Sequence, residues 1–342
     1  MRQRAQRKSF LGRILRWVIP LMISAGAIWL VLRELEFPLV MENLGMISWQ
    51  IYLLASLAYF VSYFFRAYCW YVLLQRQVSY KDVFFTMGAG YLLNNLFPFR
   101  LGEIGRAVLL GDPEGPTTLA VLSSVLVERI FDVFWAAVFI LAMLPRILGG
   151  EFDQTLILFA FILTVIGLAV LYLAARFRKR IEVWLQNWGK KAQFIKNWVT
   201  PKVIQVLEGL SVLNQPKAFL IAFGSLGISW LIAFTENYVV FQSLYPDPPF
   251  WWMVFVLSVG AFGAALPSAP AGLGVFEGVM VAAFGILGVS SEIAFTHAIV
   301  IHALAFFYSN IFGLIGLRMR GEAVVSLYQR VVNRSPNIET VK

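Results

Sequence analysis

The chain has 342 residues, 59% hydrophobic and 14% charged, with a mean hydropathy of +0.74 and a formal net charge of +9. Soluble domains carry about 25% charged residues, so the composition excludes a sizeable soluble domain. It predicts an all-α integral membrane protein with about eight hydrophobic segments. The basic residues flank apolar segments rather than forming a soluble basic module, which argues against nucleic acid as a partner.

The first sixteen residues hold six basic side chains and no acidic one. They lead into an apolar run, Ile14 to Leu32, without a small-residue cleavage pattern. A cytoplasmic tail over 1–16 and a retained first helix are expected. Ile47 to Leu74 is long enough to span and tilt. Its Cys69 is the one cysteine, so no internal disulfide is possible. Val83 to Leu110 is apolar but interrupted by Pro98, Arg100, Gly102, Glu103 and Arg106, and Thr117 to Leu148 carries Glu128, Arg129 and Asp132 in its middle. Thr155 to Ala174 is uninterrupted. Arg176 to Lys217 is basic and bears tryptophans. Ala218 to Leu244 spans, Phe250 to Gly288 is broken at Pro267, Pro270, Gly272 and Gly274, and Ile293 to Leu317 spans. A polar tail runs from Arg318.

Loop charge predicts orientation. Arg176 to Lys217 holds nine basic residues against Glu182 and Glu208, and the tail from Arg318 holds five against two acidic ones. The opposite loops, 33–46, 149–153 and 245–249, are poor in Lys and Arg. Both termini and the 176–217 linker are therefore expected in the cytoplasm, in a multi-pass plasma-membrane protein. That assignment forces Val83–Leu110 to begin and end inside, and Phe250–Gly288 to begin and end outside. Each is then a re-entrant hairpin. An offset of 172 aligns Gly88-Ala89, Pro98 and Leu101-Gly102 with Gly260-Ala261, Pro270 and Leu273-Gly274. The predicted architecture is six spanning helices plus two hairpins in an inverted repeat, with repeat one at 47–148 and repeat two at 218–317. Pro98, Gly102, Pro270, Gly272 and Gly274 are the expected hinges. In the linker, Ile181, Trp184, Leu185, Trp188, Ile195 and Trp198 fall near one helical face amid lysines and arginines. That suits interfacial helices on an anionic leaflet or, equally, a basic linker docked on the bundle.

Charges at membrane depth mark a pathway or a site by default. A helix start after Pro98 offers free backbone N–H groups, and Arg100 and Arg106 add bidentate forks, so the first tip is expected to seat a phosphate. The alternative is a structural ion pair of Glu103 with Arg106 or Arg100. Glu128 and Asp132 share a helix face, with Arg129 about 100° away, and are expected to answer the hairpin arginines. Arg66 is read as snorkelling toward the cytoplasm, whereas Glu236 lies past the middle of its span. Glu277 is a buried carboxylate by position. His302 and His297 are read as hydrogen-bonded core residues. No Ser/His/Asp order, phosphate loop or metal-spaced histidine pair is present, so no catalytic residue, cofactor or metal is predicted.

Asn94-Asn-Leu-Phe-Pro98, Arg100-Leu-Gly-Glu103 with Arg106, Glu128-Arg129-Ile-Phe-Asp132 and Pro270-Ala-Gly-Leu-Gly-Val-Phe-Glu277 together resemble the flippase-like membrane domain of lysylphosphatidylglycerol synthases. The resemblance runs from about Arg16 to Leu317. It implies movement of a lipid with a charged or sugar-bearing headgroup between leaflets. On it, Arg100, Glu103, Arg106, Glu128, Arg129, Asp132 and Glu277 become substrate-binding candidates, with His302 beside them. His302 stands where many members have arginine, and Cys69 precedes Trp70 where a basic residue is frequent. The synthases' aminoacyl-transfer domain is not expected here, so transferase activity is not carried over.

The expected function is translocation of a phospholipid or polyprenyl-phosphate-linked headgroup. The headgroup would be held between the two hairpin tips by Arg100 and Arg106, balanced by Glu103 and Glu277. The alternatives are a membrane-embedded lipid-modifying enzyme or accessory subunit, with Glu128/Asp132 or Glu103 as base, and a partner-binding scaffold.

Overall fold

The structure is a computed structural model that describes residues 18, 20–97, 100–112, 115–147, isolated positions from 155 to 173, 176–189, 200–263 and 268–334. Every regular element among the described residues is helical. In chain order they are α1 (Pro20–Leu32), α2 (Phe37–Met46), α3 (Trp49–Leu73), α4 (Tyr80–Leu96), α5 (Leu101–Leu110), α6 (Thr118–Ile147), α7 (Arg178–Gly189), α8 (Thr200–Gly209), α9 (Pro216–Gln242), α10 (Trp251–Gly263), α11 (Val275–Ile286), α12 (Ser291–Met319) and α13 (Val324–Arg334). The first tail, most of Thr155–Ala174, and the hinge Pro98 lie outside the described residues.

The helices α3, α9 and α12 are long and apolar enough to cross a membrane. With 30 residues, α6 has the length, but Glu128, Arg129 and Asp132 interrupt its apolar run. The outer surface of the bundle is apolar. On α3, Trp49, Leu53, Leu57, Phe60 and Phe64 are exposed, while Ala55, Tyr63, Ala67 and Trp70 are buried. Lipid-facing chains outside and polar chains inside are what a bilayer demands, because lipid tails solvate leucine as well as a protein core does.

The four elements α3–α6 recur as α9–α12. Shifting α6, 118–147, by 172 gives 290–319, and α12 is Ser291–Met319. Shifting α4 gives 252–268 against Trp251–Gly263, and shifting α5 gives 273–282 against Val275–Ile286. Packing repeats as well: α4 lies on α12 and α10 on α6, while α4 pairs with α5 and α10 with α11. The two sets run oppositely. Ser62 Oγ donates to the Ser229 carbonyl at 3.0 Å, and Gln75 Nε2 donates to Ser211 Oγ at 2.7 Å, so residue numbers fall along one side of the α3 contact as they rise along the other. Asn95 Nδ2 bonds Ser309 and Asn310 at 3.0 Å, while Gly88 meets Phe312 and Gly313, so α4 and α12 are also antiparallel.

Backbones approach closely within the first hairpin and between it and α12. A methyl group on Gly102 would overlap the carbonyl oxygen of Gly90 on the facing arm, and one on Gly88 would lie 2.8 Å from the Gly313 nitrogen. Small residues allow this contact where the hydrophobic effect cannot select partners. The tip of the second hairpin is braced by α1: Ser24 Oγ accepts the Ala269 amide at 2.8 Å.

Two segments differ from expectation, and the linker follows one of its two expected courses. The predicted loop 33–46 contains α2, started by Pro38 in its first turn. The linker docks: Ile181 packs on the main core, Leu207, Leu210, Val212 and Leu213 are buried in it, and Gly209 sits against Ala120 and Ser123 of α6. Trp184 is exposed rather than sharing the Ile181 environment, and 190–199 lie outside the described residues. The polar tail holds α13, whose Leu327 and Val331 are buried against Leu92, Leu93, Val108 and Leu109. Tyr328 stacks on Phe97 at 4.3 Å.

Gly102→Ala should destabilise the purified protein by about 1–3 kcal/mol, the usual cost of overpacking. Gly224→Ala, where the new methyl meets nothing within 4 Å, should be neutral or slightly stabilising. Thermal unfolding in detergent checks the pair.

Candidate functional site

The charged residues of α3, α5 and α6 form one network. Arg106 of α5 is 1% exposed and Glu128 of α6 is 0% exposed, and they meet at 2.5 Å. The Arg106 guanidinium also lies 3.7 Å from the centre of the Trp70 ring on α3. Its Nε and Nη1 have no hydrogen-bond acceptor, and the negative face of the indole takes that place. Trp70 is fixed in turn by Nε1 donating to Ser124 Oγ at 3.0 Å.

Above this pair, Arg66 of α3 grips Asp132 with both terminal nitrogens, at 2.7 and 2.8 Å. This forked geometry adds strength and fixes orientation. Asp132 also accepts from Trp230 Nε1 of α9 at 3.2 Å. Arg129 bridges Asp132 at 3.2 Å, Glu103 at 3.4 Å and Glu128 at 3.5 Å. Arg66 therefore does not snorkel to the cytoplasm, and Arg129 does not point away from its acidic neighbours. Glu103 is paired, but with Arg129 rather than with Arg100 or Arg106. Nothing in the sequence marks Trp70 and Trp230 as partners of the network, because tryptophans are common in this chain and only proximity reveals which ones face a charge.

The residue at the start of α5, Arg100, has a left-handed backbone, φ 50° and ψ 42°. It makes no ion pair among the described residues. The amides expected to seat a phosphate are partly engaged: Asn94 Oδ1 accepts the Gly102 N–H at 2.8 Å, and the Glu103 N–H donates to the Arg100 carbonyl at 3.2 Å. Asn94 thereby ties the end of α4 to the start of α5 across the tip.

A cavity of about 500 Å³ opens over the network. Its charged lining is Arg66, Arg100, Glu103, Arg129 and Asp132; repeat two contributes Ser229, Trp230, Gly260, Ala261, Phe262 and Phe276. Val133 and Phe262 in its wall are both exposed. The two Gly/Pro-broken segments thus converge on one cavity, but not with the predicted cast. Arg106 lies beneath the floor. Glu277 and His302 lie outside the lining and bond each other at 2.5 Å. Glu277 also accepts the Gly274 N–H at 2.7 Å and so caps its own helix. Hinge residues Pro270 and Gly272 form a tight turn packed against α4. Glu236 is buried on α9 away from the cavity, and His297 is buried with Nε2 3.2 Å from the Asn237 carbonyl. No cluster of three His, Cys, Asp or Glu side chains is placed to hold a metal among the described residues.

Glu128→Ala should destabilise the protein by about 3–5 kcal/mol, since it strands buried arginines. The double variant Arg106→Met, Glu128→Leu should lose much less than the two single variants summed. Thermal or denaturant unfolding checks the cycle.

Comparison with known proteins supplies the family. Two UPF0104 membrane proteins of Methanothermobacter thermautotrophicus are similar to this chain. One is 23% identical over 253 residues, covering 68% of this chain and 72% of the relative. The other is 20% identical over 263 residues, covering 72% and 78%. No solved structure matches. The model of the lysylphosphatidylglycerol synthase TM region matches residues 17–313. The chain therefore belongs to the lysylphosphatidylglycerol synthase TM region family and is a multi-pass, all-α membrane protein.

Proposed function

We propose that this protein moves a lipid with an anionic headgroup between leaflets, and that the headgroup passes through the arginine-lined cavity. The observation that carries this reading is the cavity's charge. Three arginines and two carboxylates line it, a net charge of +1, and the Arg106–Glu128 pair beneath cancels itself. An uncompensated cation in a low-dielectric wall attracts an anion strongly. The volume, about 500 Å³, suits a headgroup and not acyl chains, which on this reading stay in the bilayer.

Arg100 is the group that binds the anion, because Arg66 and Arg129 are already held by carboxylates. Backbone conformation supports the assignment. At the repeat-related position, 172 residues on, stands Gly272 with φ 78°. Both tips need a left-handed residue there, and glycine adopts it freely. Arginine in that conformation costs roughly 1 kcal/mol, on this reading a cost accepted for its side chain.

On this reading α4–α5 and α10–α11 are re-entrant hairpins entering from opposite faces. None of α5, α10 and α11, at 10, 13 and 12 residues, is long enough to span. Rocking of one repeat against the other would expose the cavity to each leaflet in turn. On the same reading both termini and the linker, which are rich in basic residues, lie in the cytoplasm against anionic lipid. An enzymatic reading needs a cavity carboxylate free to take a proton, and Glu103, Glu128 and Asp132 each bind arginine.

Arg100→Gly should keep thermal stability or raise it by up to about 1 kcal/mol. The same variant should slow headgroup transfer at least about tenfold, measured with fluorescent phospholipids in proteoliposomes and a membrane-impermeant quencher. Transfer at the native rate would overturn the proposed site.

A further inference from the structure

Glu277 and His302 make a second buried polar cluster that the translocation reading does not use. His302 Nδ1 lies 2.5 Å from Glu277 Oε1, and His302 Nε2 lies 3.0 Å from the carbonyl oxygen of Ala271. A carbonyl oxygen only accepts hydrogen bonds, and so does an ionised carboxylate. A neutral imidazole carries one N–H, so with Glu277 ionised it can satisfy only one of the two contacts. The other would set two lone pairs against each other. Both contacts hold only if the pair carries one more proton. Either His302 is an imidazolium donating twice, or Glu277 is a carboxylic acid donating to Nδ1 while Nε2–H donates to Ala271.

We infer that Glu277 and His302 form a proton-binding site, and that its proton locks the turn of the second hairpin. Ala271 is a non-glycine residue at φ 61°, ψ −1°, between Pro270 and Gly272, a conformation kept only when its surroundings hold it. His302 supplies that hold from α12. Loss of the proton removes one of the two bonds and loosens either Ala271 or Glu277, whose other oxygen caps α11 at Gly274. The turn packs on α4. The neighbouring Phe276 ring lies 4.9 Å from the His302 ring and also lines the cavity.

Ionisable side chains on the surrounding elements include Tyr52, Tyr59 and Arg66 on α3, Tyr91 on α4, Glu42 on α2, Glu236 on α9, and Glu292, His297 and Tyr308 on α12. None bonds to Glu277 or His302 among the described residues: Tyr59 donates to the Ala305 carbonyl, and His297 bonds the Asn237 carbonyl. Arg33 and Glu34, beyond α1, bond each other.

The chain has two histidines, which makes the test direct. The full-length protein, labelled with nitrogen-15 histidine and held in detergent, gives ring resonances for His302 that vanish in His302→Gln. At neutral pH the expected pattern is either both nitrogens protonated, or Nε2 protonated with Nδ1 accepting. An Nδ1–H ring with a bare Nε2 overturns the proposal. Hydrogen exchange at Gly272 and Gly274 provides the second readout. Corrected for intrinsic chemistry, it should quicken about tenfold between about pH 5 and pH 9, the loss of one buried hydrogen bond. Glu277→Gln donates an amide N–H to Nδ1 and mimics the protonated pair, so its turn should stay slow at every pH. Equal pH dependence in both proteins overturns the lock. Coupling of this proton to transport rests on the translocation reading, but neither measurement needs a substrate, so a failure of that reading leaves both results standing.

Discussion

The buried contact between Arg106 and Glu128 is the constraint on which the rest of the site depends. It joins α5 to α6 and, through the indole of Trp70, both to α3. In a bilayer, apolar side chains gain little by leaving lipid for protein, so they do not dictate which helix faces which. A desolvated ion pair does, because any misregister strands a charge where nothing solvates it. The pair fixes the floor of the cavity. Glu128 then holds Arg129 at 3.5 Å, Arg129 holds Glu103, and Asp132 holds Arg66. The first hairpin is positioned by charge as much as by its glycines.

The fold is a repeat, but its chemistry is not. Shifted by 172, Glu128, Arg129 and Asp132 become Val300, Ile301 and Leu304, a buried apolar patch that packs near Ala55 and Val240. Arg106 becomes Gly278, and Arg100 becomes Gly272. One half therefore carries the ionic network, while the other supplies walls, a turn and the Glu277–His302 pair. The two sets of four elements share one arrangement of backbone but divide the polar residues between them, with arginine at a position where glycine is the easier residue.

Much of this was legible in the sequence because its physics is local. Apolar length and charge bias give helices, and the spacing of Gly and Pro gives the two breaks, even without Pro98 among the described residues. The family motifs named most of the network. What stayed hidden depends on packing between distant segments. Arg66 looks like a snorkelling side chain until α6 places Asp132 within 2.7 Å of it. Glu277 looks like a partner for the hairpin arginines until the turn at Gly274 folds back and uses it as a cap. The α13 helix is missed for a different reason. Its mean composition is polar, and only the three-and-four spacing of Leu327 and Val331 with Val324 betrays an apolar stripe.

That last helix changes what the first hairpin can do mechanically. Arg330 of α13 and Arg320, which caps α12 just before it, point to the carbonyls of Val108 and Leu109 in the last turn of α5, where a helix carries its negative pole. Arg320 also reaches Asp82 at the start of α4, and Tyr328 covers Phe97 near the tip. Both arms of the hairpin are thus clasped from outside by a single short rod. Contacts on both arms resist their separation, so any displacement of the first hairpin would carry α13 with it, and exposed Val325 offers a place for a probe of that displacement.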